Sequence, residues 1–261
     1  MTEIISVISG KGGVGKTTFT SNIGLALAGL GKNVLLVDGN VSGANLGLHF
    51  GVDSYKNSLN DVLEGKIDFH EAIHNLKSLG ISSEYLHLIP ASVTMCSADL
   101  SRLKDLFCAL VGHYDYIIID GAAGCDSEVE SVLDVSDKVI IITNPEVSSL
   151  SNAILVRAIA EDKDKEIIGV VINRVHGDYF EISIPEIEKF TNLPVIGVIR
   201  NGRHVSSALA DSTPVLSKYP ESRVSKDFRQ TASNLVSGSY DVTKNDSLLS
   251  RVRDAIVERK L

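Results

Sequence analysis

The stretch SGKGGVGKTT, Ser9 to Thr18, decides how this chain is read. It matches G-x-x-x-x-G-K-[ST] over residues 10–17, between a Val/Ile-rich run, EIISVIS, and a helix-like segment over 16–31. That strand–loop–helix context is what gives the pattern its meaning. Gly10, Gly12, Gly13 and Gly15, with Val14 among them, let backbone N–H groups turn inward around phosphate oxygens. The N-terminus of the following helix adds a favourable dipole. Lys16 is expected to reach the β- and γ-phosphates, Thr17 to place its hydroxyl on Mg²⁺, and Thr18 to pack near the α-phosphate. A phosphate loop needs one lysine, yet Lys11 is a second.

Outward from the loop, apolar runs of strand length recur at 4–8, 33–38, 86–90, 116–120, 139–143, 167–173 and 195–199. They do not alternate with polar residues, as expected of parallel strands buried on both faces. Helix-like segments at 16–31, 98–112, 126–136, 147–161 and 203–210 separate them. The alternation predicts an α/β domain, a mostly parallel central sheet with helices on both faces. Its ligand is expected beyond the carboxyl ends of the strands. Residues 1–238 read as this domain, 239–247 as a linker, and 248–261 as a last amphipathic helix.

The chain has 261 residues and is 44% hydrophobic, enough for a sizeable core. Its net charge of −8 argues against broad nucleic-acid binding, which needs a basic surface. The three cysteines, Cys96, Cys108 and Cys125, form no C-x-x-C pair and read as reduced structural thiols. A cluster shared between two subunits is the alternative. No signal peptide is recognisable and no apolar run is long enough to span a bilayer. The expected location is cytoplasmic, or peripheral on the inner face of the cell membrane.

The run KGGVGKTT resembles the deviant Walker A motif of the MinD/ParA family of P-loop ATPases, most of all MinD-like proteins. The resemblance covers about residues 3–238 and is most specific in KGGVGKTT, TNPEVSS and VINR. It implies ATP and Mg²⁺ as ligands and an ATP-dependent homodimer. In that dimer Lys11 would reach the partner's phosphates and Glu146, in TNPEVSS, would sit at the interface. A cation supplied in trans offsets triphosphate charge and couples binding to dimerisation. Glu146 also reads as a glutamate favoured by a helix dipole. By the same resemblance Asp38 touches the Mg²⁺ shell and Asp120, ending a Walker B-like strand, holds Mg²⁺. Asn173 and Arg174, in VINR, would meet adenine, with further contacts around Thr213 and Pro214. An amide suits adenine because it offers donor and acceptor side by side.

The chain departs from the family at Asn40, where a second switch acid orients the attacking water. An amide cannot take a proton, and general-base help is worth about 10²–10⁴-fold. Hydrolysis is therefore expected to be slow or lost while binding persists, unless Asn40 is only a turn residue beside Gly39 and Gly43.

In SLLSRVRDAIVERKL, residues 247–261, Leu248, Leu249, Val252, Ala255 and Ile256 form one apolar stripe. Arg251, Arg253, Arg259 and Lys260 outnumber Asp254 and Glu258 in a protein of net charge −8. A basic amphipathic helix after a linker reads as an anchor on anionic lipid, or as one docking on protein. The resemblance implies a switch that positions cellular machinery, such as a division septum, with a stimulating or cargo protein as partner. The alternatives are a ParA-like partition ATPase, a metal-centre maturation ATPase, and an ATP-gated binding module without turnover.

Overall fold

The computed structural model describes residues 2–52, 56–79, 81, 83–93 and 100–240. The expected helix over 248–261, nearly all of the linker before it, and Cys96 lie outside the described residues. Eight strands form one sheet: β1 (Glu3–Ser9), β2 (Val34–Asp38), β3 (His74–Asn75), β4 (Leu86–Ile89), β5 (Tyr116–Ala123), β6 (Lys138–Thr143), β7 (Glu166–Val175) and β8 (Val195–Arg200). Their order is β3-β4-β2-β5-β1-β6-β7-β8, all parallel except β3, which pairs antiparallel with β4 at one edge. The chain winds outward one way through β2 and β4 and the other way through β6, β7 and β8. The crevice of such a sheet opens at the carboxyl end of β1, where the direction reverses.

Nine helices complete the described fold: α1 (Lys16–Gly29), α2 (Leu59–Leu63), α3 (Leu103–Leu110), α4 (Ser127–Val135), α5 (Val147–Asp162), α6 (Ile184–Thr191), α7 (Arg203–Ala210), α8 (Val215–Lys218) and α9 (Arg223–Ser237). Alternate strand residues feed opposite faces. Ile5, Val7, Leu36, Ile118 and Ile140 pack with Phe19 of α1 and Phe228 of α9, whose ring centroids are 6.2 Å apart. On the other face Ile8, Val139 and Ile141 meet Val129, Leu150 and Ile187 of α4, α5 and α6. There Leu35, Val37 and Ile117 meet Leu59 of α2 and Leu106 of α3. Each strand is apolar on both sides because each side has a helix to meet.

All seven expected strands form, and the sheet is mostly parallel, as read from the sequence. Differences lie in the helices. The segment expected over 98–112 starts, in its described part, as a single 3₁₀ turn, Leu100–Arg102, before α3. The helices α2, α6, α8 and α9 were not anticipated. The last of these has a legible signature: Ser222 caps it by accepting from the Ser225 N–H, and Val224, Phe228 and Ala232 recur every fourth residue on the buried face.

That helix seals the β8 edge. An edge strand exposes unpaired N–H and C=O groups that invite pairing with another chain. Here Asp227 accepts from the Arg200 N–H (3.1 Å) and the Asn234 amide donates to the Ile196 carbonyl (3.1 Å). Between them Thr231 fills the space above Gly197, where a Cβ would stand 2.6 Å from its hydroxyl. Asp227 also pairs with the Arg200 guanidinium at 3.0 Å.

Candidate nucleotide site

The glycine loop joins β1 to α1. Gly15 precedes the helix at φ 100°, in the left-handed region, and the Asn173 amide packs so close that a Cβ there would lie 2.2 Å from Nδ2. Only glycine fits both constraints. Asn173, buried at the end of β7, donates from Nδ2 to the Val14 carbonyl at 2.7 Å. Asn144, at the end of β6, donates to the same carbonyl at 3.3 Å once its amide nitrogen is turned inward. Two neighbouring strands thus brace the loop from behind.

Lys16 opens α1 and its side chain is buried among β1 and β5. Its ammonium donates to Ser9 Oγ at 3.0 Å, and Ser9 Oγ in turn donates to the Lys11 carbonyl at 2.9 Å. Burial lowers the Lys16 pKa, and the charge of Asp120 opposes that shift. Asp38 and Asp120 end up side by side because β2 and β5 are in register at these two residues. Both are fully buried. Asp120 accepts from the Thr20 hydroxyl (3.2 Å). Asp38 accepts three backbone N–H groups, from Asn40 (3.2 Å), Asn45 (3.0 Å) and Leu46 (3.0 Å). Its side chain therefore folds residues 40–46 back over the end of β2. Burial raises the pKa of both carboxyls; Asp120 raises Asp38 further, and Thr17, Lys16 and Thr20 work the other way on Asp120. Two buried acids side by side, with a buried lysine near Asp120, form a charge pattern suited to a divalent cation and a polyphosphate together.

Several expected residues lie elsewhere or do other work. Lys11 is exposed, and no acid of its own chain pairs with it among the described residues. Glu146 stands at the N-cap of α5 without a side-chain cap hydrogen bond, as the helix-dipole reading allows. It lines a separate cavity of about 540 Å³ with Arg174, His176 and Asn201. Asn40 makes a turn: its amide donates to the Gly43 carbonyl at 2.9 Å. The Gly124 N–H donates to the Ser9 carbonyl at 3.0 Å, tying the end of β5 to that of β1. Arg174 has φ 59° and Ser212 φ 49°. Left-handed backbone of this kind favours glycine, and a serine holds it at 212. Thr213 and Pro214 follow at once. They are fixed beside α1 by Asn22, which donates to the Thr18 carbonyl (2.8 Å) and accepts from the Leu216 N–H (2.9 Å).

Sequence reading missed Ser9 and Thr20. Ser9 lies within the quoted stretch and only folding shows that it holds Lys16. Thr20 is one helical turn beyond Lys16, so its place on the Asp120 side of α1 follows from the 3.6 period. Ser42 also donates to Glu128, joining the 38–46 segment to α4.

Comparison with known proteins agrees with this geometry. A family model described as an AAA domain matches residues 2–167. An uncharacterised ATP-binding protein of Methanocaldococcus jannaschii is 34% identical, covering 100% of this chain and 98% of its own. The septum site-determining protein MinD of Thermotoga maritima is 34% identical over 89% of this chain and 87% of its own. Among solved structures, MinD of Pyrococcus horikoshii complexed with Mg-ADP superposes with a TM-score of 0.85 at 31% identity, covering 93% of this chain and 100% of that one. With the glycine loop, the buried lysine and the paired strand-end acids in place, the chain belongs to the MinD/ParA family of P-loop ATPases.

Proposed function

We propose that this protein is an ATP-driven switch: it binds Mg-ATP, dimerises around it, and in that state docks on a cytoplasmic membrane surface or partner protein to position cellular machinery. The observation that carries the reading is Lys16 buried beside Asp120 and Asp38 beneath the glycine loop.

The residues present suit a bound Mg²⁺. Hard oxygen donors, Asp120, Asp38 and the Thr17 hydroxyl, lie where β2 and β5 run out and α1 begins, and Mg²⁺ takes one or two carboxylates together with phosphates and water. When bound, it would supply positive charge that offsets the charge of the phosphates. The chain's own groups do the rest. Gly10, Gly12, Gly13, Val14 and Gly15 offer backbone N–H donors, Lys16 neutralises terminal phosphates, and Thr18 closes the loop at the first turn of α1. Asn173, with one amide hydrogen on Val14, keeps its oxygen and a second hydrogen for adenine, with Arg174, Thr213 and Pro214 as the further adenine contacts. Lys11, exposed on the loop, serves the partner's phosphates, and Glu146 faces the partner across the dimer. Residues 248–261 supply a weak lipid anchor that a dimer doubles.

The test is steady-state ATP turnover by the purified protein with Mg²⁺, with and without anionic vesicles, against Lys16→Ala. Turnover above that control, with ATP-dependent dimers that Lys11→Ala abolishes, supports a cycling switch. Unchanged dimerisation in Lys11→Ala refutes the trans role. A second reading, an ATP-gated module without turnover, is favoured by Asn40, whose amide is spent on its own turn. ATP binding with no turnover, restored by Asn40→Asp, would select it.

A further inference from the structure

A second cavity, of about 510 Å³, opens beyond the ends of β7 and β8, on the α9 side of the β8 edge. None of the glycine loop, Lys16, Asp38, Asp120, Asn173, Arg174, Thr213 or Pro214 lines it. Its walls are the turn at Val175–His176, the start of α7 and the start of α9, and they bring Arg200, Arg203 and Arg223 together with His176 and His204.

The charge balance is unusual for a chain of net charge −8. The acids nearby are Glu221, exposed on the wall, and Asp227, which stands behind Arg200 at 3.0 Å and fixes its guanidinium. Glu181 lines the neighbouring cavity and not this recess, and it accepts from the His176 and Gly177 N–H groups at 2.8 Å. Arg203 and Arg223 are both exposed and make no hydrogen bond or ion pair among the described residues. The His204 ring packs at a tilt of 47° against Tyr219, ring centroids 4.7 Å apart, and His176 lies 3.0 Å from the Asn201 amide. Cations gathered in one recess repel each other, and an anion seated among them relieves that repulsion.

The backbone contributes in the same direction. The N-cap of α7 is Gly202, which has no side chain to satisfy the first N–H groups, and α9 begins at Arg223 itself. Both helix starts border the recess, so their partial positive charge adds to that of the arginines. Arginine forks match phosphate oxygens in pairs, which lysine cannot do. The volume falls within the range of small-molecule sites.

We propose that this recess is a second oxyanion site, which binds a small soluble phosphorylated ligand of about diphosphate size through Arg203 and Arg223, with Arg200 as its fixed wall. It is independent of the ATP reading. The α7 helix, which starts at the recess, ends at the turn that carries Thr213 and Pro214, so an occupant would bear on the wall of the nucleotide site.

Isothermal titration of pyrophosphate into the full-length protein saturated with Mg-ADP tests this, because the ADP fills the glycine loop first. One further pyrophosphate per chain is expected. Arg203→Gln combined with Arg223→Gln should weaken it at least tenfold, leave ADP affinity within twofold, and leave the melting temperature unchanged. Equal binding to wild type and variant, or equal displacement by sulfate at matched ionic strength, would overturn the site. So would loss of all pyrophosphate binding once ADP is bound. Vesicles containing phosphatidic acid form the other arm: arginine-dependent retention on them without pyrophosphate binding would overturn the soluble ligand in favour of a lipid headgroup. Should ADP itself fail to bind, the ATP reading fails, while the comparison of wild type and variant with pyrophosphate still reports on the recess.

Discussion

Replacing Gly15 by alanine perturbs the loop at the point where β7 braces it. Two costs follow from the geometry. An alanine at φ 100° carries left-handed strain of about 1–2 kcal/mol. Its Cβ would also stand 2.2 Å from Asn173 Nδ2, so the amide must leave its hydrogen bond to the Val14 carbonyl. Unmaking a buried hydrogen bond costs about 1–3 kcal/mol, toward the low end here because Asn144 still reaches the same carbonyl. Together the substitution should destabilise the nucleotide-free protein by about 2–4 kcal/mol in urea denaturation, with the slope unchanged. The assay that isolates the reasoning is a double-mutant cycle. In an Asn173→Ala background the clash is gone, and Gly15→Ala should cost only the backbone strain, about 1–2 kcal/mol. Strict additivity of the two substitutions would refute the claim that the Asn173 amide and the Gly15 Cα compete for one space.

Further predictions concern charge and the edge of the sheet. The pKa values of Asp38 and Asp120 are raised by burial, and that of Asp38 further by the charge of Asp120, so the nucleotide-free native state holds protons that the unfolded chain has lost. Its stability should therefore fall as pH rises from about 4 toward neutrality, and Asp120→Asn should flatten that fall in denaturation midpoints between pH 5 and 7.5. A midpoint in the wild type that rises over this range would refute the reading. Asp227→Ala removes the acceptor of the Arg200 backbone N–H and the carboxylate 3.0 Å from its guanidinium, at a cost of about 1–3 kcal/mol by calorimetry; less than roughly 0.5 kcal/mol would mean that α9 does not depend on this pair. Deleting residues 247–261 should leave ATP binding intact and abolish sedimentation with anionic vesicles, and retained sedimentation would place the lipid contact elsewhere.

The sequence alone determined the layers of this protein and the identity of its phosphate loop. Runs such as VLLVD and YIIID are apolar on both sides, and only a sheet covered on both faces can bury them, so the α/β fold is legible without coordinates. The glycine pattern at 10–17 is equally legible, because few backbones other than an anion-binding loop need that spacing. The α9 helix was legible in principle, through Ser222 and the spacing of Val224, Phe228 and Ala232. Its role was not, because covering the β8 edge joins residues 227, 231 and 234 to 196–200, and no local pattern carries that pairing. Tertiary structure also decided what each site residue touches. Asp38 and Asp120 are 82 positions apart in the chain and become neighbours through strand register. Asn173 braces Val14 across 159 positions, and Asn40 turns back on Gly43. The three arginines of the second recess stand in unremarkable contexts in the sequence. They form a cluster only because α7 and α9 begin side by side at the edge of the sheet, where long-range packing sets the distances on which electrostatics depend.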